Sequence, residues 1–143
     1  MTKEISKTIP DQLLSFLTGE KLVTLVTINK DGTAKANAIT WCIANDATTI
    51  MLAVDEQCTI VRNIQANPNV LLTIYGPNSV YSIAGEAIDV GETIEVQKYK
   101  ASVIKVSVTQ VSDIMFFSGE LTKPLEFTKD YTYDEAIYNG LKK

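Results

Sequence analysis

The sequence predicts a mainly β protein, a closed or partly open barrel carrying a few short helices. Three observations lead there. Apolar and alternating runs of strand length recur at short spacing, broken by turn residues. Asn29-Lys-Asp-Gly32, between two such runs, carries the Asp-Gly pair that signals a hairpin. The helical patterns are short and sit between or outside the strands, as in small barrels.

In chain order, Pro10 to Leu17 reads as a short amphipathic helix with Pro10 at its first position and Leu13, Leu14 and Leu17 as its stripe. Two roles are open to it, a lid on one barrel end or part of a subunit contact. Leu22 to Ile28 is an apolar strand, and Thr33 to Ala44 is predicted as one long alternating strand. In it Ala34, Ala36, Ala38, Thr40, Cys42 and Ala44 share a face opposite Lys35, Asn37, Ile39, Trp41, Ile43 and Asn45. Thr49 to Val54 is a third strand. A helix near Thr59 to Ala66 follows, stopped by Asn67-Pro68, and Val70 to Tyr75 resumes the sheet. Ser79 to Val90 is a long strand in which Gly85 marks a bulge or a close approach of another backbone or a ligand. Glu92 to Lys100 lacks alternation and is expected to be an irregular connection with a helical turn. Ala101 to Val111 is a half-buried strand, with Ile104, Val106 and Val108 facing in. Asp113 to Ser118 is apolar and is read either as a last strand or as a subunit contact. Pro124 breaks what precedes it, and Tyr133 to Leu141 forms a terminal helix with Ala136, Ile137 and Leu141 as its stripe.

A chain of 143 residues suits one domain, taken as residues 1–143. With 45% apolar and 21% charged residues the composition is that of a soluble globular protein. The net charge of -4 and the scattered lysines, with Arg62 the only arginine, argue against nucleic acid. The absence of histidine excludes Ser-His and Cys-His catalysis, and Cys42 and Cys58 have no metal-ligand spacing, so no metal site is expected. No apolar run reaches membrane length and the first residues are polar, which predicts a cytoplasmic protein with no membrane partner.

Four pieces then suggest a family. Gly19-Glu-Lys-Leu-Val-Thr-Leu-Val-Thr27, Ala36-Asn-Ala-Ile-Thr-Trp41, Ile60-Val-Arg-Asn-Ile-Gln-Ala-Asn-Pro68 and Tyr81-Ser-Ile-Ala-Gly85 resemble the pyridoxamine 5'-phosphate oxidase-like family of FMN-binding split β-barrels, most closely its small bacillary members. The resemblance covers roughly residues 10 to 112. It implies a homodimer with FMN in a groove between subunits. The isoalloxazine would run along Ile39-Thr40-Trp41, and the phosphate would lie at the start of the helix before Asn-Pro. A helix N-terminus suits a phosphate, because its N–H groups are unpaired and its dipole end is positive.

At that start, Cys58, Thr59 and Ile60 stand where the family carries a serine followed by basic residues, and Val54 stands where a threonine precedes them. Asp55 lies in the same loop, and Arg62 is the cation left nearby. Ile39, Thr40, Trp41, Val54, Asp55, Cys58, Thr59, Ile60 and Arg62 are therefore the candidate cofactor-binding residues, with no catalytic residue assigned. Each has a plainer role open: Thr59 as a helix cap, Arg62 as a solvated surface group, Trp41 as core.

The resemblance implies a flavin-dependent oxidoreductase acting on a small molecule. The alternative is a non-catalytic dimeric barrel, a binding or regulatory module that has lost tight FMN binding. Oxidation of pyridoxamine phosphate itself is not expected, since that second phosphate calls for basic and often histidine partners.

Overall fold

The structure, a computed structural model, describes residues 3–96, 99–123, 125–129 and 134–142. Pro124 and Tyr133, named above as a breaker and a helix start, lie outside them. Among the described residues eight strands form one antiparallel sheet: β1 (Lys3–Ser6), β2 (Val23–Ile28), β3 (Ala34–Ile39), β4 (Cys42–Asp46), β5 (Thr49–Asp55), β6 (Asn69–Tyr75), β7 (Val80–Val96) and β8 (Tyr99–Asp113). Three helices accompany them: α1 (Asp11–Phe16), α2 (Thr59–Ala66) and α3 (Asp134–Leu141).

The order across the sheet is β3-β2-β6-β7-β8-β5-β4, with β1 added to β8. Its two ends, β3 and β4, are consecutive in the chain and separated only by Thr40 and Trp41. The sheet must therefore curl until its edges meet, yet no ladder joins them among the described residues. The result is a barrel with a split, and the Thr40–Trp41 link crosses it.

That link corrects the prediction of one strand from Thr33 to Ala44. Cys42 N–H donates to the Thr40 carbonyl at 2.9 Å, a tight turn that shifts the alternation by one residue. Ile39 and Cys42 consequently both face the inner core, while Trp41 and Ile43 face outward into a second apolar cluster. A continuous strand would have put Ile39 and Trp41 on one side.

The inner core is built from alternate residues of the strands, such as Val23, Leu25, Ile50, Leu52, Leu72, Ile74, Ile83, Ile104 and Val106. Leu13 and Leu17 close it from the N-terminal segment, which favours the lid reading of α1; Ile60, Val61 and Ile64 close it from α2. Cys42 is fully buried there, and burial pushes its thiol up from 9.0 to about 12, so it is a packing group. The outer cluster joins Trp41, Ile43, Ala53, Ala101 and Val103 to Ile137, Tyr138 and Leu141 of α3. Ala136, expected in that helix's stripe, is exposed; Tyr138 takes its place.

Other boundaries differ too. The expected irregular connection from Glu92 to Lys100 is strand at both ends, with β7 pairing β8 as far as Val96↔Tyr99. Its charged, weakly alternating sequence reflects exposure, while Ile94 packs under α3. Near the N-terminus Lys3–Ser6 form β1, an edge strand whose one apolar residue, Ile5, is exposed and too little to signal a strand. Gly85 does mark a bulge: the register shifts between Ala84 and Gly85, and a Cβ there would lie 2.5 Å from the Ser107 carbonyl oxygen. The segment from Ile114 to Ser118 is no strand, and Phe116 and Phe117 are 72% and 81% exposed. Among the described residues no helix is long and apolar enough to cross a membrane.

Candidate functional site

A cleft of about 340 Å³ opens at the split. One wall comes from Leu22 before β2, from Asn37, Ala38 and Ile39 of β3, and from the Thr40–Trp41 link. The facing wall is Ala53, Val54 and Asp55 at the end of β5, Cys58 and Ile60 at the start of α2, and Tyr99 at the start of β8. The topology explains the convergence. The split lies between β3 and β4, the link meets β5 where the Ala53 N–H donates to the Trp41 carbonyl, and β5 leads into α2 while pairing with β8 through Asp55↔Ala101.

The walls are mostly apolar, with one notable polar atom. Asn37 Oδ1 is buried and has no hydrogen-bond partner among the described residues. A buried acceptor left unpaired costs about 1–3 kcal/mol, so a donor brought by a ligand gains at this point. Trp41 is both wall and outer core: it is 8% exposed and meets Tyr99 edge to face at 5.4 Å.

At the helix start, Cys58 occupies the cap position in extended conformation and offers no side-chain cap, so Thr59 is the first helical residue and not the cap. The Asp55 carboxylate accepts the Gln57 N–H at 2.9 Å, and the Asp55 carbonyl accepts the Cys58 N–H at 3.0 Å. The anion thus lies inside the turn leading to the helix. Arg62 reaches back along α2: its Nη2 donates to Thr59 Oγ1 at 3.3 Å and its Nη1 to the Gln57 carbonyl at 3.4 Å. The helix is held by Asn63, a buried residue whose Nδ2 donates to Thr27 Oγ1 and Asn29 Oδ1, both at 3.0 Å. Glu56 N–H donates to the Lys100 carbonyl at 3.2 Å, which ties the backbone at the start of β8 to this loop.

Of the residues singled out in the sequence, Ile39, Thr40, Trp41, Val54, Asp55, Cys58 and Ile60 meet in the cleft. Thr59 and Arg62 do not line it; they sit joined on the exposed side of the helix start. Sequence reasoning missed Leu22, Asn37, Ala38, Ala53 and Tyr99. Asn37 and Ala38 lie one and two residues before Ile39 and carried a signal through that adjacency. Tyr99 carried none, because it depends on β8 beginning beside Asp55.

The sequence profile of the pyridoxamine 5'-phosphate oxidase family matches residues 9–116, and the chain belongs to that family. Curated proteins give no match. Solved structures share the fold. A pyridoxamine 5'-phosphate oxidase-like protein from Lactobacillus delbrueckii superposes with a TM-score of 0.64 at 14% identity, covering 76% of this chain and 98% of its own. An F420 reductase gives 0.57 at 18% identity, covering 72% of this chain and 98% of its own. An FMN-binding protein from Syntrophomonas wolfei gives 0.54 at 11% identity, over 74% of this chain and 84% of its own. Identities this low establish a split β-barrel and nothing finer.

Proposed function

We propose that the cleft at the split binds FMN and that the protein is a flavin-dependent oxidoreductase acting on a small molecule. The observation that carries this reading is the convergence of both walls on one cleft, in a chain of this family. The cleft is within the range of roughly 300–1,000 Å³ usual for ligand sites, and its walls are apolar with a single orphaned acceptor. That is the lining a flat heteroaromatic ring with an N–H edge calls for, and isoalloxazine is such a ring. Leu22, Ile39, Val54 and Ile60 would enclose the ring, and Asn37 would take its N–H. A bound flavin supplies the redox chemistry itself, which is why no side-chain acid or base is needed on the walls.

The phosphate end falls to Arg62, within reach of the first turn of α2. With Asp55 in the turn leading to α2 and Arg62 the only guanidinium of the chain, the phosphate is held with modest affinity. Cys42 and Cys58 are both free, which supports a reducing, cytoplasmic setting.

The protein works as a homodimer in this account. Ala36, Val26, Leu71 and Ala84 lie in register across β3, β2, β6 and β7 as an uncharged row. Ala38, which lines the cleft, neighbours that row on the exposed side of β3, so a second copy seated there would also border the cleft.

Titration of FMN, followed by the quenching of its fluorescence, tests the reading. Saturable binding is expected, and Asn37→Leu is expected to weaken FMN and riboflavin together while leaving the ligand-free protein as stable or more so. Absence of saturable binding to the parent protein contradicts the reading.

A further inference from the structure

Residues beyond the family match lean on the cleft from outside. After β8, Leu121 N–H donates to the Asn78 carbonyl at 2.9 Å, and Lys129 pairs with Glu20. Helix α3 then packs Ile137, Tyr138 and Leu141 into the outer cluster with Trp41 and Ala53. It sits close, for a Cβ on Gly140 would come within 2.6 Å of Ile94 Cδ1. The Tyr138 hydroxyl donates to the Thr40 carbonyl at 2.6 Å. Thr40 belongs to the link where the sheet's two edges meet without a ladder; β5 reaches the link at Trp41, whose carbonyl accepts the Ala53 N–H at 3.0 Å, while Tyr138 holds the Thr40 carbonyl from outside the turn.

We propose that Tyr138 is a positioning residue of the cleft: through the Thr40 carbonyl it fixes the Thr40–Trp41 link, and α3 thereby sets the spacing of the cleft walls. The physical reason is local. The link carries the shift in alternation, with Ile39 turned inward and Trp41 outward, and its Thr40 carbonyl is held by the Cys42 N–H within the turn and by Tyr138 from outside. Without the hydroxyl the link keeps only the Cys42 N–H within the turn and the Ala53 N–H at Trp41, and the wall that includes Ile39 and Thr40 is freer to shift. The nature of the ligand rests on the flavin reading; the hold on the link does not.

The test is Tyr138→Phe in the full chain, which keeps the packed ring and removes only the donor. Amide exchange is read at Cys42 and Ala53, whose N–H groups donate to the Thr40 and Trp41 carbonyls, against the β2–β6 ladder as internal reference. FMN and riboflavin are titrated into the same sample. Exchange at Cys42 and Ala53 should quicken relative to the reference, and both flavins should weaken by a common factor of about three to ten, the worth of one ordinary hydrogen bond. In a flavin-binding parent, either readout left unchanged overturns the proposal, whatever happens to the melting temperature; Tyr138 is then merely a fastener of α3. A parent that binds neither flavin contradicts the flavin reading instead. The hold on the link is then judged by exchange alone, faster exchange upholding it and unchanged exchange overturning it.

Discussion

In the proposed flavin site Asn37 would meet the ring inside the cleft, and Arg62, outside the cleft at the start of α2, would meet the phosphate. Arg62 is the chain's only guanidinium, and its bonds to Thr59 Oγ1 and the Gln57 carbonyl bring it to the first turn of α2, where a phosphate would add to weak neutral partners. Arg62→Ala is expected to weaken FMN by about 1.5–3 kcal/mol, the worth of hydrogen bonds to a charged group, and to leave riboflavin unchanged. The ligand-free melting temperature should barely move, as for an exposed residue. Paired titrations and a melting curve on one mutant check this; equal losses for both flavins would remove the phosphate from this end. Arg62 drew attention in the sequence because it is the only arginine, yet it does not line the cleft; Asn37, which does, drew none. An asparagine on an alternating strand reads as a polar face, and only the register shows its oxygen buried without a donor.

At the scale of elements, the legible parts were those whose signal is local. Helix α2 has apolar residues at 60, 61 and 64 and an Asn-Pro stop, so pattern and breaker agree. The break between β3 and β4 was not legible, since alternation continues through Thr40 and Trp41 in the sequence while the chain turns in space. The far half of β7 was hidden similarly: Glu92 and Glu95 point outward on an exposed ribbon, and only pairing with β8 makes it a strand. Gly85 was legible as a bulge because no other residue fits that approach. Gly85→Ala should destabilise the protein by about 1–3 kcal/mol, since its Cβ would press on the backbone oxygen of Ser107. A lower urea midpoint with unchanged slope is the expected result, and an unchanged midpoint would mean that the β7–β8 ladder yields there without cost.

For the whole molecule, one topological fact places the cleft: the sheet's edges are consecutive strands, so the barrel has to split where the chain links them. The same curl presents the row Ala36, Val26, Leu71 and Ala84 outward, and Leu71 is 38% exposed. Sedimentation velocity at micromolar concentration should show a dimer, and Leu71→Lys should give a monomer by setting a charge within an apolar contact. A parent protein that sediments as a monomer contradicts the dimer. Amide chemical shifts followed during an FMN titration locate the proposed ligand. Saturating shifts are expected at Asn37 to Trp41, Ala53 to Asp55, Cys58 and Ile60. Shifts that do not saturate, or that gather instead around Ile64, Glu86 and Ser107 in the separate depression beside the C-terminal end of α2, would contradict it.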